Sequence, residues 1–326
     1  MSAPLRLALM LPIGAGALGD GRPVRWTELR EIARLAESVG FHGLMAPDHL
    51  LFRNAPPVVM EPGKTRGIWE VWSILTAVAE ATRRVHLGPF VACTAFRNPA
   101  LLAKMAETLD EISGGRVVLG LGAGWHEPEY QAFGYPFDHR VGRFEEALQI
   151  IVPLLRQGRV DFQGQYYQAR DCELAPRGPR PAGLPILIGG AGPRMLRLAA
   201  RYADLYDTDF QLEPRLVADR IAALEAACAD VGRKPAELAR TVGLRLALAP
   251  PGGDGGPAGG AIAEYQMGGV RFSARRGTPE EIVALLRGFQ AVGAAQVTCA
   301  IVDPPGLRGI ERFAPVIEAL SSAAGR

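Results

Sequence analysis

Short apolar runs and segments of helical period alternate along almost the whole chain. Each run has the length of a buried strand and is followed by a stretch in which apolar residues recur every three or four positions. The predicted strands are Leu5–Leu11, Gly43–Ala46, Val85–Ala92, Val117–Gly122, Ile186–Ile188, Leu205–Thr208, Thr241–Ala249 and Val297–Val302. Eight strand–helix pairs in strict alternation predict a (β/α)8 TIM barrel that forms a single domain over residues 1–326.

Two segments interrupt this alternation. Residues 158–185 are rich in glycine, proline and aromatic residues, which predicts an irregular excursion with room for a small hairpin. Residues 250–276 begin with a run made almost entirely of proline, glycine and alanine, which predicts a flexible loop. The main alternative fold is an open, doubly wound dinucleotide-binding sheet. Gly120, Gly122 and Gly124 lack the spacing of that motif, and Pro128 delays the helix that should follow at once.

Charge and cysteine content narrow the class of partner. The 36 basic and 34 acidic residues give a net charge of +2, and no basic block is present, so we expect no nucleic-acid partner. The cysteines lie far apart without ligand spacing, which favours free thiols in a reducing cytosol and no metal site. They are Cys93, Cys172, Cys228 and Cys299.

The apolar segment Leu5–Leu18 has the length of the apolar core of a secretion signal, but a proline and glycines interrupt it. A buried first strand is the preferred interpretation. No stretch approaches the length of a membrane span, so we expect a cytoplasmic protein that acts on a small molecule and has no membrane partner.

An acidic residue and a histidine end the second predicted strand, at the edge where barrel enzymes place their active sites. These are Asp48 and His49. A histidine held by a neighbouring carboxylate can titrate near neutral pH and exchange a proton with a substrate, so both residues are the catalytic candidates. The simpler interpretation is that Asp48 caps the next turn and His49 is a buried, satisfied imidazole.

Small and aromatic residues follow the fourth predicted strand. Gly122 and Gly124 would let the backbone pass close to a flat ligand, because no Cβ stands in the way. Trp125 and His126 would line the same pocket, although ordinary core packing is an equal alternative for Trp125.

A glycine-rich turn follows the fifth predicted strand and opens a helix. It consists of Gly189, Gly190, Ala191, Gly192 and Pro193. Free backbone N–H groups and the helix dipole both favour an anion at such a place, so this turn is the best candidate for binding a phosphate. The alternative is a tight turn without a ligand.

Four segments occur in an order typical of a known family. They are APDHL at Ala46–Leu50, the long segment Gly115–Glu146, PILIGGAGP at Pro185–Pro193, and RGTPEEIVALL at Arg276–Leu286. With these segments and the strand count, the chain resembles the luciferase-like monooxygenase family, the flavin- and deazaflavin-dependent TIM-barrel oxidoreductases, from Leu5 to Leu320. The resemblance implies a homodimer with its cofactor in the mouth of the barrel.

The resemblance also implies the kind of cofactor. An Asp-His pair such as Asp48-His49 is similar to the branch that uses the deazaflavin coenzyme F420, whereas flavin monooxygenases often carry Glu-His. We therefore expect an F420-dependent oxidoreductase that transfers hydride to or from a small organic substrate. The alternatives are an FMN-dependent monooxygenase, which uses reduced flavin and oxygen, and a flavin-binding protein without turnover.

Further cofactor contacts are implied only by the resemblance. Members of the family often hold a non-proline cis peptide near the position of Cys93 and Thr94, against the ring of the cofactor, and bind its phosphate in the turn 189–193. Sugar-phosphate-oxidising members carry a catalytic glutamate where this chain has Ala123. That difference argues against a sugar phosphate as the substrate.

Overall fold

The computed structural model describes residues 4–180, 182–249 and 261–322. Its strands are β1 (Arg6–Met10), β2 (Gly43–Ala46), β3 (Leu51–Arg53), β4 (Thr65–Gly67), β5 (His86–Pro89), β6 (Ala92–Cys93), β7 (Leu119–Gly122), β8 (Arg159–Gln163), β9 (Gln168–Glu173), β10 (Ile186–Gly189), β11 (Leu205–Phe210), β12 (Ala239–Leu248), β13 (Ala261–Met267), β14 (Val270–Gly277) and β15 (Gln296–Asp303). Its helices are α1 (Trp26–Val39), α2 (Val71–Ala81), α3 (Pro99–Ser113), α4 (Glu127–Phe133), α5 (Arg140–Gln157), α6 (Pro193–Tyr202), α7 (Pro214–Asp230), α8 (Pro279–Ala291) and α9 (Leu307–Ser322), with 3-10 turns at Thr94–Phe96 and Pro235–Glu237.

The central sheet is parallel and follows the order β5–β2–β1–β15–β12–β11–β10–β7–β6. A parallel bridge between Leu87 and Val117 joins its two ends and closes the wall. β5 and β6 follow each other closely in the chain and together form one strand of the barrel wall. The described residues therefore form eight strands of the wall, and each is paired with the wall strands that precede and follow it in the chain. The predicted TIM barrel is confirmed, and its strands deliver their carboxyl ends to one common mouth.

The residues that the sequence predicts to cap helices lie at helix ends in the structure. Asn98 caps α3 by accepting from the amides of Ala100 and Leu101, and Gly114 ends the helix in the left-handed conformation. At α8, Thr278 and Glu281 form the reciprocal capping box that the sequence predicts. These local bonds fix the points where helices begin and end on the outside of the barrel.

The core has an outer and an inner part. The outer faces of the strands pack against the helices in one extensive apolar cluster. The inner cluster is small and consists of Ala8, Met45, Phe90 and Leu187. Partly buried residues surround it, namely Met10, Val91, Val118, Leu205 and Phe210. The barrel interior is therefore filled below the mouth by side chains from successive strands.

The third strand position differs from the prediction of one continuous strand. It is divided into β5 and β6, and a non-proline cis peptide joins Phe90 to Val91 between them. This bond lies two residues before Cys93, where the family resemblance implies it. The division turns Phe90 and Val91 toward the inner cluster.

Within the described residues, three antiparallel hairpins extend the loops. One is β3–β4 after β2, one is β8–β9 after α5, and one is β13–β14 after β12. The prediction of a flexible loop is wrong for residues 261–276, because β13 and β14 pair along their length and β14 continues the sheet beside β12. Residues 250–260, where the same loop prediction applies, lie outside the described part of the chain.

Candidate active site

A histidine–carboxylate pair lies at the mouth of the barrel. His49 follows β2, and its ring Nδ1 lies 2.8 Å from Oε1 of Glu129. The other oxygen of Glu129 accepts from the amide of Leu50 at 2.8 Å, and the Glu129 side chain is only 2% exposed. Because Nδ1 is held by the carboxylate, Nε2 of His49 is the ring atom left to meet a ligand.

The sequence predicts that the neighbouring carboxylate of Asp48 holds the ring of His49. This prediction is wrong, because the ring is held by Glu129. Pro128 was expected to delay the next helix, but proline is favourable in a first helical turn and lies there in α4. This short helix turns Glu129 and Tyr130 inward. The acidic first turn with its proline was the available signal for Glu129.

Asp48 has another role in the fold. Its carboxylate accepts from the amide of Cys93 at 2.9 Å and from two nitrogens of Arg97 at 2.6 and 3.1 Å. Burial raises the pKa of the Asp48 carboxyl, and the Arg97 guanidinium and the Cys93 amide oppose that rise. Asp48 thus ties the end of β2 to β6 and to the segment before α3, and it does not hold the ring of His49.

An aromatic cluster surrounds His49. The ring of Phe52 lies 4.4 Å from that of His49, and the ring of Trp125 lies 5.1 Å away in an edge-on arrangement. Trp125 is 43% exposed, so it forms part of the mouth rather than the core. Phe52 comes from the β3–β4 hairpin.

His126 is a buried neutral imidazole. It is 1% exposed, its Nε2 accepts from the amide of Arg53 at 3.1 Å, and burial lowers its pKa. Its Nδ1 has no hydrogen-bond partner among the described residues. The structure therefore assigns His126 to holding the β3–β4 hairpin against the barrel.

The glycines after β7 make room for protein side chains. A Cβ on Gly122 would lie 2.6 Å from Cγ2 of Val91, and a Cβ on Gly124 would lie 1.8 Å from the hydroxyl of Tyr130. The sequence predicts that these glycines make room for a flat ligand. In the structure they make room for the side chains of Val91 and Tyr130. Val91, which fills the space beside Gly122, becomes part of the inner surface of the mouth.

Cys93 and Thr94 lie below the surface of the mouth. The Cys93 sulfur lies 3.0 Å from the Tyr130 hydroxyl, and Thr94 donates to the carbonyl of Gly122 at 3.3 Å. Burial raises the pKa of the Cys93 thiol to about 12, so it remains protonated and is a poor nucleophile at neutral pH. Contacts of these two residues with a cofactor stay a prediction.

The turn 189–193 joins β10 to α6 at the same edge of the barrel. Gly190 has a φ of +127°, and Gly192 is the N-cap of α6 with no side-chain cap bond. Ala191, Gly192 and Pro193 are exposed, and a Cβ on Gly192 would meet nothing within 4 Å. The N-terminus of α6 is therefore open to solvent and electrostatically suited to an anion.

These elements define the class of protein as a (β/α)8 barrel with a histidine–carboxylate pair and an exposed helix N-terminus, without a side-chain cap, at its mouth. The model of the luciferase-like monooxygenase family matches residues 5–251. The chain belongs to this family.

Two relatives with assigned activities are similar over more than half of this chain. The 5,10-methylenetetrahydromethanopterin reductase of Archaeoglobus fulgidus is 35% identical over 181 residues, which are 56% of this chain and 48% of that protein. The F420-dependent glucose-6-phosphate dehydrogenase of Amycolatopsis mediterranei is 30% identical over 244 residues, 73% of this chain and 69% of that protein. The chain thus matches about half the length of the first relative.

The fold is similar to that of a solved F420-dependent secondary alcohol dehydrogenase in complex with an F420–acetone adduct. The TM-score is 0.77 at 20% identity, and the match covers 98% of this chain and 99% of that one. At this identity the comparison supports the barrel fold alone. No helix in the described parts of the chain has the length and apolar content that crossing a bilayer requires.

Proposed function

We propose that the protein is an F420-dependent oxidoreductase that transfers hydride between the deazaflavin and a small organic substrate. The observation that carries this proposal is the His49–Glu129 pair at the mouth of the barrel, with Nε2 of His49 left for a ligand. The F420-dependent relative that shares 30% identity with this chain supports the choice of cofactor.

The residues present fit such a cofactor at two places. Val91 offers an apolar side chain on the inner surface of the mouth, and Gly189 beside it adds no side chain of its own. The exposed, uncapped N-terminus of α6 suits the anionic tail of the cofactor. When bound, F420 supplies the carbon that accepts or donates the hydride, which no side chain can supply.

The chain contributes positioning and proton handling. Glu129 fixes the orientation and tautomer of the His49 ring, and Nε2 gives or takes the proton that accompanies hydride transfer. The rings of Phe52 and Trp125 pack against His49 and limit its access to water. Asp48 and Arg97 hold the end of β2, and with it the backbone that carries His49.

Titration of the purified protein with F420 and separately with FMN, followed by tryptophan fluorescence, tests the cofactor assignment. We expect saturable binding of F420 in preference to FMN. His49→Ala should keep the affinity for F420 and lose most of the oxidation of reduced F420 with a panel of aldehydes, ketones and enones, typically by a factor on the order of 100 or more. Unchanged turnover in this variant would remove the proposed role of His49.

A monooxygenase that uses reduced FMN and oxygen is the second candidate, because the family is described by that activity. The same titration distinguishes the two. Preference for FMN, with oxygen consumption that depends on a substrate, would favour the second candidate over the first.

We also propose that the protein is a cytoplasmic homodimer, which rests on the resemblance to the family and on the free thiols. Sedimentation equilibrium of the purified protein tests the dimer, and a single species with the 34.9 kDa mass of one chain would contradict it. Localisation of a tagged copy in the native host tests the compartment.

A further inference from the structure

Arg245 lies on the inner face of β12, near the mouth of the barrel. Two residues earlier on the same strand, a Cβ on Gly243 would lie 3.0 Å from the ring of Phe210, so this face of β12 points toward Phe210. Cζ of Arg245 lies 4.1 Å from the Phe210 ring centroid and 5.6 Å from that of Phe272, on β14. The guanidinium is held between two aromatic rings contributed by neighbouring parts of the sheet.

No carboxylate forms an ion pair with Arg245 within the described residues. Burial lowers the pKa of its guanidinium, and the charge of Asp209 opposes this only in part. One oxygen of Asp209 accepts the amide of Phe210 at 2.7 Å. Asp207 is buried, and its oxygens accept from Thr241 and from the amide of Asp209.

Other partly buried arginines of this chain have hydrogen-bond or ion-pair partners. Arg66 donates to the carbonyl of Ala15 at 2.9 Å, and Arg116 donates to that of Ser113 at 2.6 Å. Arg97 pairs with Asp48 at 2.6 Å, Arg177 with Glu107 at 3.0 Å, and Arg180 with Asp110 at 2.5 Å. A cation removed from water without a partner costs stability, and such costs are usually retained only where a ligand repays them. Arg245 has the environment of a binding residue rather than that of a structural ion pair.

The position of Arg245 connects it to the proposed active site. Phe210 contacts Phe90 edge-on, with ring centroids 6.3 Å apart, and Phe90 directly precedes Val91 on the inner surface of the mouth. Phe272 lies on the hairpin that continues the sheet beside β12. A ligand at the guanidinium would have aromatic surface on two sides.

We infer that Arg245 binds the carboxylate of the substrate, and that the substrate is a small organic acid with an apolar or aromatic body. This inference rests on the proposed function, because it assigns the substrate class at the same mouth. A guanidinium stacked on an aromatic face leaves its N–H edge free, and that edge matches a planar carboxylate through two parallel hydrogen bonds. The flanking rings of Phe210 and Phe272 suit the apolar body.

Binding of benzoate, with neutral benzamide as the matched probe, tests the inference without turnover. Dissociation constants are measured by ligand-observed NMR on the wild type, on Arg245→Met, and on Arg240→Met as the control. Arg240 lies on the same strand but pairs with Glu225 at 3.2 Å. We expect benzoate to bind the wild type and Arg240→Met alike, about tenfold or more weaker binding to Arg245→Met, and weak binding of benzamide throughout.

Thermal unfolding of Arg245→Met and the wild type tests whether the variant is still folded. Removing a cation that has no ion-pair partner among the described residues should leave the Tm of Arg245→Met equal to or above that of the wild type. Equal benzoate affinity in the wild type and Arg245→Met, or no benzoate binding to the wild type, would overturn the inference. So would loss of F420 binding in Arg245→Met, because the residue would then serve the cofactor. Failure of the wild type to bind F420, with the benzoate difference intact, would instead count against the proposed function alone.

Discussion

Replacing Glu129 with glutamine is the most direct test of the histidine–carboxylate pair. The carboxylate accepts two N–H groups, the ring Nδ1 of His49 and the amide of Leu50, each at 2.8 Å. A glutamine of the same shape has only one acceptor oxygen, and its NH2 group can only donate. Either one of the two N–H groups then faces another donor, or the His49 ring changes tautomer so that Nδ1 accepts from the glutamine NH2, in a site that is almost closed to water.

The expected magnitude follows from that single lost acceptor. A buried donor left without a partner costs about 1–3 kcal/mol, and in a chain of this size that lowers the Tm by roughly 1–4 °C. If the cost appears as a misplaced or wrongly protonated His49 ring, the rate of hydride transfer falls by about 10- to 100-fold. The affinity for F420 should change little, because neither Nδ1 of His49 nor the amide of Leu50 belongs to the turn 189–193 that is proposed to bind the anionic tail.

Glu127→Gln is the matched control, since Glu127 lies on the same short helix but is exposed and bonds to Gln131. Three measurements on both variants suffice: thermal unfolding, single-turnover oxidation of bound reduced F420, and the nitrogen-15 NMR shifts that report the tautomer of His49. Equal rates and an unaltered tautomer in Glu129→Gln and Glu127→Gln would refute the assignment of Glu129 as the residue that positions His49.

Two further predictions concern stability. Burial raises the pKa of the Asp207 carboxyl to about 7, so the folded state binds more protons than the unfolded state between about pH 4 and pH 7. The free energy of unfolding should fall by about 4 kcal/mol as the pH rises through that window. Asp207→Asn should flatten the pH dependence of the Tm, whereas Asp219→Asn, at an exposed position, should not. A wild-type Tm that rises across the window would contradict this prediction. Gly124→Ala should cost about 2–5 kcal/mol because φ is +73° and the new Cβ would meet the Tyr130 hydroxyl at 1.8 Å. In denaturant unfolding, Gly67→Ala should be about as stable as the wild type, because the space around Gly67 is open. Adding Tyr130→Phe to Gly124→Ala should restore part of the lost free energy of unfolding. A Gly124→Ala variant as stable as the wild type would rule out the contact.

The positions of strands, helices and strand ends follow from local patterns in the sequence. Asn98 and Thr278 begin helices as predicted, and Gly114 ends one, because capping depends on residues within a few positions of each other. The strand count predicts the barrel, and the barrel brings His49, Trp125 and the turn 189–193 to one edge. The β13–β14 hairpin escaped prediction because most of its residues are half-buried or exposed, so neither strand contains a run of buried apolar residues.

By itself, the sequence determined the barrel and placed His49 and the glycine-rich turn 189–193 at strand ends, since each depends on periodicity or turn chemistry over short distances. Only the tertiary structure decided which carboxylate holds His49, because Glu129 lies 80 residues away and Asp48 is instead bound to Arg97. It also decided that Arg245 has aromatic neighbours and no ion pair within the described ranges. Hydrogen-bond partners and counter-ions depend on how distant loops pack together, and no local pattern of residues encodes that arrangement.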